Sequence, residues 1–392
     1  MKIGIDCRQI YDVKNNRGAG IPRYVFNLVK AILAQDRNSE YVLFFDEQIG
    51  EETLNALRTH RGFKVVKVKN RVPFFSAHVG FTFNLWGEWL DWCIFPANVM
   101  PFFYVGKSTL IIHDLLIYNY PEWFPNKQWF SKLLVVPSSI AKATNIMTIS
   151  NATKTELLYL FKFKREKDVI TVYSGVEDRV TYGEKEIKEV KDKFKIKKDY
   201  IFFVGTIEPR KNLRHLFHVF GKYAQEFPGQ VELVVAGIKG WKYRKIFRTM
   251  IKVNQQIGEQ AIRYIGKVTD TERNILMQQA KCFVFPSLNE GFGLPILEAM
   301  KQGVPVIASK IPVTEELVND GAALLIPPHD DIDWYSAIKK VLASEALITE
   351  LVTKGKVAAE RFKWVNTAVG LLKMIKLPNE QDKNNLDQKS EF

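Results

Sequence analysis

Short apolar runs alternate with longer amphipathic stretches along most of this chain. Runs at 2–6, 41–45, 63–68, 109–112, 145–149 and 169–172 read as buried strands. A second series follows at 201–204, 232–236, 262–265, 282–285 and 305–308. Between the runs, helical spacing of apolar residues predicts helices at 22–35, 51–59, 127–142, from Ser150, up to Phe227, at 334–342 and at 362–375. Strand and helix in alternation predict parallel sheets, an α/β chain of doubly wound units. Residues 173–198 break the alternation with a dense run of Lys and Glu, which reads as a linker and a solvated helix.

Length agrees with two series. At 392 residues the chain is too long for one ordinary core and suits two domains of about 150 to 200 residues each. The boundaries fall at 1–175 and 199–360, with 377–392 read as a disordered polar tail. Cys7, Cys93 and Cys282 are few, odd in number and scattered in apolar surroundings, which speaks against a disulfide framework and for a reducing compartment. Asp6 and Arg8 stand where a signal peptide needs its apolar run, and no window reaches a membrane-spanning length. The expected location is cytoplasmic.

A net charge of +13 points to an anionic partner or to solubility alone. Nucleic acid is set aside because none of its binding motifs occurs. Residues 71–105 hold a surplus of aromatics, among them Phe74, Phe75, Phe81, Phe83, Trp86, Trp89, Trp92, Phe95, Phe102, Phe103 and Tyr104. Some must be core; the remainder beside Lys and Arg suits an anionic membrane interface. The basic stretch 239–252 permits a similar contact, or a plain solvated face.

Two motifs mislead. G-K-S-T at 106–109 lacks the earlier glycine of a P-loop and precedes a strand. D-x-D at 331–333 follows two prolines and precedes an amphipathic helix, so it reads as a helix cap, and no catalytic metal or other cofactor is expected.

The chemistry concentrates in F-P-S-L-N-E-G-F-G-L-P-I-L-E-A-M-K-Q-G, residues 285–303. A strand ends in a loop carrying Glu290. Gly291 and Gly293 open a helix that holds Glu298 and ends at Gly303. Glycines and a helix N-terminus suit phosphate, and carboxylates suit the paired hydroxyls of sugars. Arg210 and Lys211, read in the first turn of a helix, are locally unfavourable there unless an anion is bound. His113 stands at the carboxyl end of a strand, where ligands of open α/β sheets bind, although a lone His is more often structural.

E-G-F-G-L-P-I-L-E, with F-P-S before it, resembles the E-x7-E motif of the family-4 retaining glycosyltransferases. H-D-L, Y-P-E-W-F and G-T-I-E-P-R-K-N-L resemble that family too. The resemblance implies the GT-B fold: two Rossmann-like domains facing a central cleft, with a last helix near 362–376 returning to the first. It implies a nucleotide diphosphate sugar as donor. Arg210 and Lys211 would hold the diphosphate and Glu298 the ribose. Glu290 would orient the transferred sugar with the N–H groups of Phe292, Gly293 and Leu294. His113, Gly18, Gly20 and Thr206 would line the donor site, with Lys267 and Val268 at the base. The relatives it most resembles are bacterial mannosyl- and hexosyltransferases of O-antigen or exopolysaccharide assembly. Mannose from GDP-mannose is thus the first expectation, with an acceptor carried on a lipid such as undecaprenyl diphosphate at the inner membrane face. A UDP- or dTDP-sugar transferase with a soluble acceptor, and a non-catalytic sugar-nucleotide-binding subunit, are the alternatives.

Overall fold

The computed structural model describes residues 1–10, 20–58, 62–69, 76–124, 131–318 and 320–376. The expectations for Gly18, Phe74, Phe75 and the tail 377–392 lie outside these residues. The chain divides into two units, one from the described parts of 1–121, 126–175 and 363–392, the other from 122–125 and 176–362.

The first unit is a seven-stranded parallel sheet. Its strands are β1 (Lys2–Asp6), β2 (Glu40–Asp46), β3 (Lys64–Val68), β4 (Trp92–Phe95), β5 (Ser108–Ile112), β6 (Asn145–Thr148) and β7 (Val169–Thr171), in the order β3-β2-β1-β4-β5-β6-β7. Helices cover both faces, so the strands are apolar on both sides; Phe44, Phe95, Leu110, Ile112 and Ile146 meet Phe81 and Leu85 in one buried cluster. The C-terminal helix Trp364–Lys376 packs on Ile21–Gln35. Trp364 lies edge-on to Tyr24 at 5.4 Å, Asn145 Nδ2 donates to the Met374 carbonyl at 2.9 Å, and Lys376 pairs with the buried Asp36.

The second unit is a six-stranded parallel sheet of β8 (Asp199–Val204), β9 (Val231–Ala236), β10 (Ile262–Gly266), β11 (Cys282–Phe285), β12 (Val306–Ser309) and β13 (Leu324–Ile326), in the order β10-β9-β8-β11-β12-β13. Phe217, Phe220 and Trp334 fill its core against Ile201, Val235 and Val284.

Two strands escaped the sequence pattern. β4 is the central neighbour of β1, yet its four residues merge in sequence with the aromatic run around them. β13 is a three-residue edge strand with no pattern of its own. Ser150, where the sequence pattern starts this helix, is its cap: the Oγ accepts from the Thr153 N–H at 3.1 Å, and the helix runs Asn151–Leu160. Asp330 caps Asp331–Ala343, and Asp331 pairs with His215 and Lys222. The aromatic stretch divides: Phe81, Trp92, Phe95 and Tyr104 are buried, whereas Phe83, Trp86, Trp89, Phe102 and Phe103 are exposed. Among the described residues, no helix is long and apolar enough to cross a membrane.

Candidate functional site

In a doubly wound sheet, ligands bind beyond the carboxyl ends of the strands where the winding reverses. In the second unit that point lies between β8 and β11, because β9 and β10 continue to one side and β12 and β13 to the other. The β8 loop carries Thr206, Glu208, Arg210 and Lys211, and the β11 loop carries Glu290. The Leu288 N–H donates to the Arg210 carbonyl at 2.9 Å, tying the two loops together.

Four charged side chains meet there. Arg210 and Lys211 both donate to the Glu290 carboxylate. Arg210 Nε also donates to Glu208 Oε1 at 2.9 Å, and its Nη1 to the Asn289 carbonyl at 3.3 Å. Glu208, Lys211 and Glu290 are almost fully enclosed. Burial alone would raise the Glu290 pKa, but the charges of Arg210 and Lys211 outweigh it and bring it down to about 2. Lys211 is pulled below its ordinary value by burial and by Arg210, against the opposing pull of Glu290. Burial raises Glu208 despite both cations. Two acids and two bases cancel, so the cluster is neutral when nothing is bound.

Arg210 and Lys211 do not stand in the first turn of a helix. They form a separate 3-10 turn, Pro209–Lys211, closed by Asn212 at φ 52, and the helix Leu213–Glu226 starts after it. Pro209 ends the extended approach and Asn212 tolerates the left-handed conformation that makes the corner. Both cations therefore point back into the β8–β11 junction, onto Glu290.

Glu298 sits on the helix Leu294–Gln302, which opens after Gly293 at φ 116 with Pro295 in its first turn, and ends at Gly303. Its carboxylate lies 3.8 Å from Arg273 Nε, an arginine also paired with Asp270. Phe292 is buried, edge-on to Phe362 at 5.9 Å. Thr206 adjoins the β9 loop: a Cβ on Gly240 would come 2.6 Å from its Cγ2. Lys267 and Val268 follow β10 at the sheet edge, two strands from the β8 loop. Thus the structure gathers Glu290, Arg210 and Lys211 at one point, sets Glu298 one helical segment away, and leaves Lys267 and Val268 at the periphery of the same strand ends.

His113 and Gly20 belong to the first unit. Its sheet reverses between β1 and β4. Gly20, at φ 74, precedes the helix Ile21–Gln35. His113 directly follows β5 and packs edge-on against Tyr24 at 4.6 Å. Its Nε2 meets the Pro96 carbonyl at 2.7 Å; a carbonyl only accepts, so Nε2 carries the proton and Nδ1 is the acceptor. Burial lowers its pKa to about 4, the Pro96 carbonyl offsetting part of that, and the ring is neutral at pH 7. It can accept from a hydroxyl but not act as a cation.

Glu208, Arg273 and Glu156 were not anticipated. Glu208 lay in the quoted motif as an unexplained acid, and Arg273 has no local signal at all. Glu156, on the helix Asn151–Leu160, is raised to about 7 by burial and by the charge of Asp114, the residue beside His113.

Residues 184–358 match the family described as glycosyl transferases group 1. The O-antigen chain mannosyltransferase B of Escherichia coli is 31% identical over 273 residues, 69% of this chain and 70% of that protein. The serotype-specific mannosyltransferase WbdA of Escherichia coli is 27% identical over 296 residues, 73% of this chain and 35% of that longer protein. Anabaena Alr3699/HepE, solved in complex with UDP and glucose, gives a TM-score of 0.73 at 17% identity, covering 96% of this chain and 100% of that one. At that identity the likeness speaks for the fold alone.

Proposed function

The chain belongs to the group 1 glycosyltransferases, with the GT-B fold, and from that premise we propose that it moves mannose from GDP-mannose to a sugar hydroxyl of a lipid-linked or polysaccharide acceptor, with retention. The observation that carries this reading is the neutral cluster of Glu208, Arg210, Lys211 and Glu290 at the β8–β11 reversal. Two converging cations already held by a carboxylate form a preorganised anion site. An entering diphosphate takes the place of Glu290 on Arg210 and Lys211, and the released carboxylate turns to the sugar hydroxyls. Glu298 accepts from the ribose diol. As the bond from the anomeric carbon to the phosphate oxygen breaks, its electron pair stays on the phosphate, where Arg210 and Lys211 stabilise it. The acceptor oxygen bonds to the same face of that carbon, and its proton passes to the departing phosphate. Neither an enzyme nucleophile nor a metal is needed; full activity in EDTA is expected. Both relatives are named as mannosyltransferases, which supports mannose, and the one named for the O-antigen chain supports a polysaccharide acceptor. The place of work is the cytoplasmic face of the membrane that holds such an acceptor.

A thermal-shift screen with GDP, UDP, dTDP and ADP tests the donor. Ligand at a hundred times its Kd stabilises the fold by about 2.7 kcal/mol. A shift with GDP alone is expected; a shift with UDP or dTDP alone would replace GDP-mannose. Lys211→Ala should lower hexose transfer about a hundredfold or more. Undiminished transfer in that variant would remove the assigned role.

A further inference from the structure

Exposed large apolar side chains are not scattered evenly over this molecule. Of the seventeen among the described residues, eight fall in three segments of the first unit: Phe83, Trp86, Trp89, Phe102, Phe103, Val105, Leu133 and Leu134. The three segments form one surface. The Phe102 N–H donates to His78 Nδ1 at 3.3 Å, joining the loop after β4 to the turn that precedes Phe81–Trp86. The Met100 N–H donates to Ser139 Oγ at 3.0 Å, and Lys142 donates to the Phe102 carbonyl, joining that loop to Val136–Lys142. Phe83 meets Trp86 edge-on at 5.7 Å, and Phe102 meets Phe103 at 5.4 Å. The outermost groups are Trp89, 87% exposed at a backbone φ of 49, and Val105, 80% exposed.

Charge selects the occupant. Residues 76–87, 98–109 and 131–145 contain Lys107, Lys132 and Lys142 and no Asp or Glu; the two acids beside Trp89 are engaged inward, Glu88 with Lys2 and Lys64 and Asp91 with the Lys2 N–H. Scattered exposed apolar residues need no explanation, but a contiguous set does. Protein interfaces favour aromatics and are depleted in Lys. Aromatic and aliphatic tips ringed by Lys fit a bilayer surface, where the rings sit at head-group depth and the ammonium groups meet phosphate.

We propose that this face of the first unit docks on an anionic phospholipid surface, with Trp86, Trp89, Phe103 and Leu133 entering the interface and Lys107, Lys132 and Lys142 contacting head-group phosphates. The proposal rests on the lipid-linked acceptor reading only for why a membrane is there. Vesicle binding is measured without donor or acceptor, so it stands or falls apart from the transfer reaction.

The test is flotation of the whole chain with vesicles of phosphatidylglycerol and phosphatidylcholine, against phosphatidylcholine alone. Binding to the anionic vesicles is expected. Trp86→Ser, Trp89→Ser and Phe103→Ser combined should weaken it tenfold or more while leaving the nucleotide thermal shift intact. Lys107→Gln, Lys132→Gln and Lys142→Gln combined should abolish the preference for anionic lipid. Acyl chains carrying bromine should quench tryptophan fluorescence, and Trp86→Phe with Trp89→Phe should remove the quenching. No flotation at low salt overturns the proposal. So does equal flotation of the serine variant, which would reduce the effect to bulk charge. A dimer in solution that the serine variant dissociates would also overturn it, making a second copy the occupant.

Discussion

Glu290 occupies the two cations that a diphosphate would need, so carboxylate and phosphate compete for them. Glu290→Gln is therefore expected to tighten nucleoside diphosphate binding several-fold while lowering hexose transfer about a hundredfold or more. Titration calorimetry beside a transfer assay separates the two effects, and weaker nucleotide binding would contradict the competition. Two further residues set opposite pH trends. His113 titrates at about 4 in the folded protein, against an ordinary 6.5. The unfolded chain takes up that proton first as pH falls, so the stability from the neutral ring is complete above 6.5 and is lost as pH drops toward 4. Glu156, raised to about 7 from 4.5, holds its proton longer when folded, so stability is lost as pH rises through that window. His113→Gln should flatten the acid side of a Tm-versus-pH profile. Glu156→Gln should raise Tm at pH 8 and leave it almost unchanged near pH 4. Identical profiles for variant and parent would show that neither environment shifts its group. Glu290 stood out in sequence as an acid before the glycines that open a helix, whereas Arg210 and Lys211 stood out as cations in a helix's first turn, a position that the separate turn Pro209–Lys211 corrects. Arg273 did not stand out, since its pairing with Glu298 joins two helices and leaves no mark on either.

At the scale of elements, the strand periods were readable wherever four or more apolar residues stood between polar flanks. The exceptions are Trp92–Phe95, which stands between Asp91 and Pro96 but inside an aromatic-rich stretch, and Leu324–Ile326, where three residues carry no period. The loops that shape the site depend on two glycines with positive φ. At Gly237, φ 142, a Cβ would lie 1.8 Å from the Gly205 carbonyl oxygen, a backbone atom with nowhere to go. Gly237→Ala should therefore displace the β8 and β9 loops together or prevent folding. At Gly293, φ 116, a Cβ would meet Leu317 Cδ1 at 3.3 Å. The side chain can yield, so Gly293→Ala should cost about 1–3 kcal/mol, chiefly in backbone strain. Urea unfolding of both variants checks the order; a milder effect at Gly237 would refute it.

At the scale of the molecule, length and the two series of strands pointed to two sheets, each with its own core. The sequence patterns could not show which strands lie centrally, because order in a parallel sheet is set by crossovers rather than by local composition. Nor did they reveal how deeply the helix Trp364–Lys376 is embedded: Ala368, Leu371, Met374 and Ile375 are buried in the first unit. Ending the chain after Phe362 should destabilise that unit by on the order of 5–10 kcal/mol, the burial of several large apolar side chains. Limited proteolysis should then cut within 1–175 and spare 199–360. Equal resistance of both parts would show the helix to be dispensable.

That returning helix also fixes an order in time. The first unit starts at residue 1 but lacks a wall of its core until residue 364 and those after it have been made. The second unit, complete by residue 362, is available to fold first. At elongation rates of about 5–20 residues per second the earlier-made sheet waits roughly ten to forty seconds for its last helix, with the apolar face of Ile21–Gln35 uncovered. During synthesis, then, the half of the molecule translated first is the half that stays incomplete longest.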